Sequence, residues 1–117
     1  GVLEATVTAL CDATSCDPRD LDAWLGPCIG RDAFEVGADV VEALGPDREA
    51  FRPTARDGKW LADLPLLATK RLAATGVGHI AGDSAFCTVA DPSRFFSFRR
   101  DGVTGRMAAA VRLPGRR

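Results

Sequence analysis

The segment Asp63 to Gly76 constrains this chain more than any other. Leu64, Leu67, Ala68, Leu72 and Ala73 recur at helical spacing. Asp63 stands where a carboxylate can cap the first turn, Pro65 lies in that turn, and Gly76 occupies the position just past the end. A helix with one apolar face has to lay that face on another element. "VGHI" follows directly and reads as a short strand. Val2, Leu3, Val7, Leu10 and Cys11 form a second helical stripe at the start of the chain, and "DATSCDP" ends it, with Pro18 opening a turn or short helix through Leu21. "AWLGPCIG" (residues 23–30) reads as a buried strand running into a loop where backbone approaches something closely. "AFEV" is a second short extended piece, and residues 37–44 read as a short helix stopped by Gly45-Pro46. Residues 45–58, polar and holding two prolines, are expected to form a mobile loop. "FCTV" reads as a further strand. The chain is expected to close with a hairpin, Phe95–Arg100 and Gly105–Leu113, joined through Asp101-Gly102. Helices mixed with strands in 117 residues predict one α/β unit.

Charge is unevenly placed. Residues 1–91 carry a balance of −7, and residues 92–117 carry +6, seven arginines against the single acid Asp101. Strand alternation in the expected hairpin puts Phe96, Phe98 and Arg100 on one face and Phe95, Ser97 and Arg99 on the other. At least one of the paired arginines therefore points toward aromatic residues, and burial there demands a partner. Two readings stand side by side. Arg99, Arg100 and Arg106 either pair with the acidic body of the chain, for instance Asp63 or Glu35, or bind an anion through the planar guanidinium fork. Nucleic acid is not the expected anion, because no basic recognition helix is present and few aromatic residues are available for stacking.

Cys28, between the glycines of "GPCIG", is the second candidate site residue. A nucleophilic cysteine needs a base, and His79 is the sole histidine; the alternative is a small apolar residue in a buried strand. Cys11, Cys16, Cys28 and Cys87 show no CxxC spacing, so no complete zinc site is expected within the chain. Free thiols in the cytoplasm are the expected state, with Cys11 and Cys16 the one pair able to bridge. No apolar run reaches the ~20 residues of a membrane span. The P-loop, GxGxxG, HExxH and GxSxG patterns are missing. The chain begins "GVLEATVTAL", inside a helical pattern and without an initiator Met, and is expected to be a fragment or processed piece.

Taken in order, "WLGPCIG…FEVGADV", "DLPLLATKRLAATGV", "FCT" and "FFSFRRDGVTGRMAAAVRL" closely resemble the laccase-domain family. This family is also called YfiH-like, multicopper polyphenol oxidase or purine nucleoside phosphorylase, and it includes the bacterial peptidoglycan editing factor. The likeness runs from end to end of the chain and corresponds to the C-terminal half of a family member. It implies an α/β sandwich of paired sheets with outer helices and a metal pocket between two halves. Zinc or copper is implied there, held by two histidines and a cysteine of the preceding half. No residue of these 117 matches those ligands, and Cys28, Cys87 and His79 are not carried into that role.

The resemblance also implies phosphorolysis of adenosine, inosine and methylthioadenosine, with some adenosine deamination. Alternatives are a peptidoglycan precursor-editing amidase, a laccase-type polyphenol oxidase, and a catalytically silent interaction fragment. The expected partners are nucleoside, phosphate and the N-terminal half of the domain. Uncovered strand edges would favour a homodimer. Phosphorolysis requires an anion site, for which Arg99, Arg100 and Arg106, with Cys28 and Glu35 nearby, are the candidates inferred from charge and placement.

Overall fold

The computed structural model describes residues 1–82 and 86–115. Helix α1 (Val2–Thr14) leads through a 3-10 turn, Pro18–Asp20, into strand β1 (Asp22–Leu25). Strand β2 (Glu35–Gly37) runs directly into helix α2 (Ala38–Ala43). After a turn at Arg48–Ala50 come strands β3 (Phe51–Pro53) and β4 (Lys59–Ala62), then helix α3 (Leu64–Ala74) and strand β5 (His79–Gly82). A single helical turn, α4 (Phe98–Asp101), precedes a tail without regular secondary structure. The fold is α/β, as expected, and it holds two sheets.

β1 and β5 pair in parallel, with Asp22 opposite His79 and Leu25 opposite Gly82. β4 lies between β2 and β3, antiparallel to both. α3 is the element that joins the two sheets. Leu67 near its start packs with Val36, Ala50, Phe51 and Ala62 over the three-stranded sheet. Leu72, one and a half turns on, packs with Val7 of α1 and Val77 over the parallel pair. The caps read from the sequence are in place: Asp63 accepts from the Leu66 N–H at 3.0 Å, and Gly76 takes the left-handed conformation at φ 92°. The Lys70–Glu49 and Arg71–Glu4 ion pairs fasten α3 to its neighbours. Among the described residues, no helix is long and apolar enough to cross a membrane.

The closing hairpin is the main correction. "FFSFRR" does not form a strand. Ser97, buried and with its backbone extended, accepts the Arg100 N–H on its hydroxyl at 3.2 Å and starts α4, which Gly102 ends at φ 72°. The face assignment of Phe95 to Arg100 by strand alternation falls with it. Residues 105–113 carry no regular secondary structure and pair with no strand among the described residues. "FCTV" contributes only an isolated parallel bridge, Cys87 to Cys28, before turning. Residues 45–58 contain an ordered edge strand as well as turns, because Ala50 and Phe51 are needed in the core. Pro53 sits at the end of that edge, where no N–H is demanded of it.

Candidate functional site

The loops that leave the carboxyl ends of β1 and β5 meet at the Cys28–Cys87 bridge. In open α/β sheets this end of parallel strands is where ligands bind. Cys28 donates its N–H to the Phe86 carbonyl at 3.3 Å, and its own carbonyl accepts from the Thr88 N–H at 2.9 Å. Gly30 is buried beside the bridge and sends its N–H to the Cys87 sulfur at 3.2 Å. A β-carbon on Gly30 would stand 3.2 Å from that sulfur, so the close backbone approach expected of "GPCIG" is made against Cys87. A pocket of about 350 Å³ opens here, lined by Gly30, Arg31, Asp32, Ala33, Cys87 and Ala90.

The two thiols differ. Burial, followed by the neighbouring Cys87 and Asp63, pushes the Cys28 thiol above its ordinary range. Burial also pushes Cys87 up, but the N–H groups of Gly30, Ala90 and Val89 together outweigh it and hold that thiol below its ordinary value. His79 lies at the other end of the strand pair, 3.7 Å from Asp22. Asp22, its partner in the strand pair, stands at the opposite end of β1 from the loop that carries Cys28, with a four-residue strand of roughly 10 Å between. The Cys28–His79 pairing is not made.

α4 carries the paired arginines. Arg100 spends its whole guanidinium on the protein. Nη1 donates to the carbonyls of Thr88 (2.8 Å) and Val89 (3.2 Å), Nη2 to the Phe95 carbonyl (3.0 Å) and to Asp101 Oδ2 (2.8 Å), and Nε to Asp101 Oδ1 (3.0 Å). It thereby stitches α4 to the turn that carries Cys87, and Asp101 is its acidic partner, in place of Asp63 or Glu35. The Asp101 carboxyl is held below its usual value by that guanidinium.

Arg99 points the other way. Its Nη1 donates to the Glu35 carbonyl at 2.7 Å, and its guanidinium lies 5.4 Å from the centre of the Phe34 ring. The Glu35 carboxylate is taken by Arg56 at 2.6 Å. Nε and Nη2 of Arg99 have no partner among the described residues. Arg106 sits exposed on the tail, also unpartnered among the described residues, one residue beyond Gly105. Gly105 passes so near Phe96 that a β-carbon would meet the ring at 2.8 Å.

Arg99 thus meets the Glu35 carbonyl, and Arg100 meets the turn that carries Cys87, the bridge partner of Cys28; Arg106 takes part in neither contact. Phe34, Arg56, Ser97 and the N–H groups around Cys87 complete the arrangement and were not singled out in the sequence. Ser97, three residues before Arg100, is the one with a legible signal, that of an N-cap. Among the described residues no three His, Cys, Asp or Glu side chains gather closely enough to hold a metal ion. The described residues therefore offer no ligand set for the zinc or copper implied by the resemblance.

An α/β module whose loops gather donor groups at the carboxyl ends of paired parallel strands belongs to the class of folds that take a small ligand there. The chain belongs to the family described as multi-copper polyphenol oxidoreductase laccase, whose sequence model matches residues 1–114. It is 46% identical over 117 residues to a purine nucleoside phosphorylase of Pseudomonas aeruginosa, covering 97% of this chain and 46% of that protein. To purine nucleoside phosphorylase YfiH of Escherichia coli it is 46% identical over 115 residues, covering 97% of this chain and 45% of that protein. The crystal structure of a Neisseria meningitidis protein superposes with a TM-score of 0.71 at 41% identity, over 86% of this chain and 43% of that one. YlmD from Geobacillus stearothermophilus gives 0.76 at 30% identity, over 86% and 39%. The chain spans about half the length of the curated relatives it matches.

Proposed function

We propose that this chain supplies the phosphate-contacting wall of a purine nucleoside phosphorylase. The observation that carries the reading is Arg99. Its guanidinium is fixed by the Glu35 carbonyl and the Phe34 ring, while Nε and Nη2 have no partner among the described residues. A guanidinium held at one nitrogen is pre-oriented to take a phosphate oxygen with the others. In phosphorolysis a phosphate oxygen forms a bond to C1′ of the nucleoside as the bond from C1′ to the purine nitrogen breaks. The products are the corresponding sugar 1-phosphate and the free base. Arg99 binds and orients the phosphate, and Arg100 holds the Cys87 turn and α4 in place. The substrates are adenosine, inosine and methylthioadenosine, with adenosine deamination as a side activity. A zinc or copper ion would be held by ligands from outside these 117 residues, and the reaction would take place in the cytoplasm.

The exposed surface favours a covering partner. The accessible surface is 8501 Å², against roughly 6,100 Å² for a compact monomer of this mass. The radius of gyration is 16.2 Å, against roughly 13 Å. Trp24, Phe98, Val103, Val111 and Leu113 are all more than half exposed. The remainder of a longer polypeptide covers this face in the proposed enzyme.

The test is inosine phosphorolysis by the full-length polypeptide. Arg99→Ala is expected to raise KM for phosphate about tenfold, the loss of one charge-assisted contact at a solvated site, with KM for inosine nearly unchanged. An unchanged phosphate KM in both Arg99→Ala and Arg106→Ala would remove the anion role.

A further inference from the structure

α1 ends in an unusual way. Ser15 takes the left-handed conformation, φ 56° and ψ 31°, the one non-glycine residue among those described with a positive φ. An L-residue enters that region at a cost, and here it turns the chain back over the last helical turn. The consequence is that the Cys16 thiol donates to the Cys11 sulfur across 3.3 Å. The chain after Cys16 is fixed as well. Asp17 caps the Pro18–Asp20 turn by accepting the Arg19 N–H at 3.0 Å, and Asp20 returns the bond to the Asp17 N–H at 3.2 Å. Cys11 is anchored from its own side, packed against the Val7, Leu72 and Val77 cluster. Two thiols are therefore held in contact by structure on both flanks, and both remain partly accessible.

We propose that Cys11 and Cys16 form a redox-active dithiol that closes to an intramolecular disulfide by exchange with a small-molecule disulfide of the glutathione type. The Cys16 thiolate attacks one sulfur of the reagent, forming a mixed disulfide and expelling one thiolate. Cys11 then attacks the Cys16 sulfur, releasing its proton to water and the second thiolate to solvent. The protein is oxidised by two electrons, and one reagent disulfide is reduced to two thiols.

The order follows from the surroundings. Burial first, then the neighbouring Cys16, Asp17 and Asp12, push the Cys11 thiol up to about 11. Held that far above its ordinary value, Cys11 is the less ionised and slower nucleophile toward an external reagent. Its part is to close the bond once Cys16 has been modified. Closure fastens the end of α1 to the segment that leads into β1.

The test is equilibration of the full-length polypeptide in glutathione buffers of rising oxidation, followed by acid quench, alkylation and tryptic mapping. Cleavage after Arg19 puts Cys11 and Cys16 in one peptide, apart from Cys28 and Cys87. The expected result is a peptide ending at Arg19 that is lighter by two hydrogens and unalkylated, while Cys28 and Cys87 are still alkylated. Cys11→Ser is expected to stop at a glutathione adduct on Cys16. In Cys16→Ser, where burial and the carboxylates Asp17 and Asp12 still raise Cys11 after the Cys16 contribution is gone, Cys11 should react more slowly than Cys16 does in Cys11→Ser. Two alkyl groups on that peptide in buffers that already oxidise Cys28 or Cys87 would overturn the proposal. So would a wild-type adduct that never closes.

Discussion

Ser97→Ala tests the device on which the arginine arrangement depends. Ser97 is 7% exposed, and its hydroxyl accepts the Arg100 N–H, the third N–H of a helix only four residues long. In a long helix that bond would be one of many. In α4 it is the cap of a single turn, and a turn this short has almost no intrinsic stability. Replacing an N-cap serine by alanine costs about 1 kcal/mol, within a range of about 0.5–2. The Arg100 N–H is only partly solvated. That moves the expectation toward the upper half, about 1.5 kcal/mol, because a partly buried donor is left without an acceptor. At about 1.4 kcal/mol per tenfold, the open form of the α4 turn becomes roughly ten times more populated.

Two readouts should follow together. Urea unfolding should show a loss of about 1–2 kcal/mol with unchanged slope, and native-state hydrogen exchange at Asp101 and Gly102, whose N–H groups bond to the Ser97 and Phe98 carbonyls, should quicken about tenfold. Ser97→Thr, which keeps an accepting hydroxyl, should recover most of both. The reasoning is refuted if Ser97→Ala exchanges at the wild-type rate, or if Ser97→Thr is as damaged as Ser97→Ala. Either result would mean that the cap does not hold the turn.

Three further outcomes follow from the same geometry. Gly82 sits at φ 115° with its missing β-carbon 2.5 Å from the Leu25 carbonyl, so Gly82→Ala should lose at least about 2 kcal/mol in denaturant unfolding through strain and clash. Leu67 is 3% exposed in the larger core, and Leu67→Ala should cost about 2–5 kcal/mol by the same measurement. Cys87 titrates below its ordinary value and Cys28 above it. Between neutral pH and pH ~9, peptide-mapped iodoacetamide labelling should therefore be faster at Cys87, its rate levelling off at lower pH than that of Cys28. Parallel profiles for the two would contradict the backbone N–H account.

What the sequence disclosed, and what it hid, divides along a physical line. The long helices were legible because their signals are local and redundant: a stripe, a cap and a terminal glycine all agree over Asp63 to Gly76. β1 and β5 were legible as short apolar runs, but their parallel pairing was not, since no local signal encodes a partner 57 residues away. The same limit concealed the Cys28–Cys87 bridge. Arg99 and Arg100 were picked on charge alone, and the fold sets the first on the Glu35 carbonyl and the second on the carbonyls of Thr88 and Val89.

The failure at residues 95–113 is of another kind. "SFRRDG" carries two local messages: strand alternation with a turn, and a serine cap with a helical stop at Gly102. Over so few residues neither outweighs the other. Tertiary contacts decide between them. Arg100 in a helical turn reaches the carbonyls of Thr88, Val89 and Phe95 at once, three acceptors that end their own segments without backbone donors nearby. In a strand the same side chain would point across the sheet and leave those carbonyls unpaired. Five donors on one side chain thus favour the helical turn, and that turn sets Arg99 against the Glu35 carbonyl and the Phe34 ring. The arginine pair is split by geometry into one residue whose donors are all taken by the protein and one with two nitrogens that no described residue bonds.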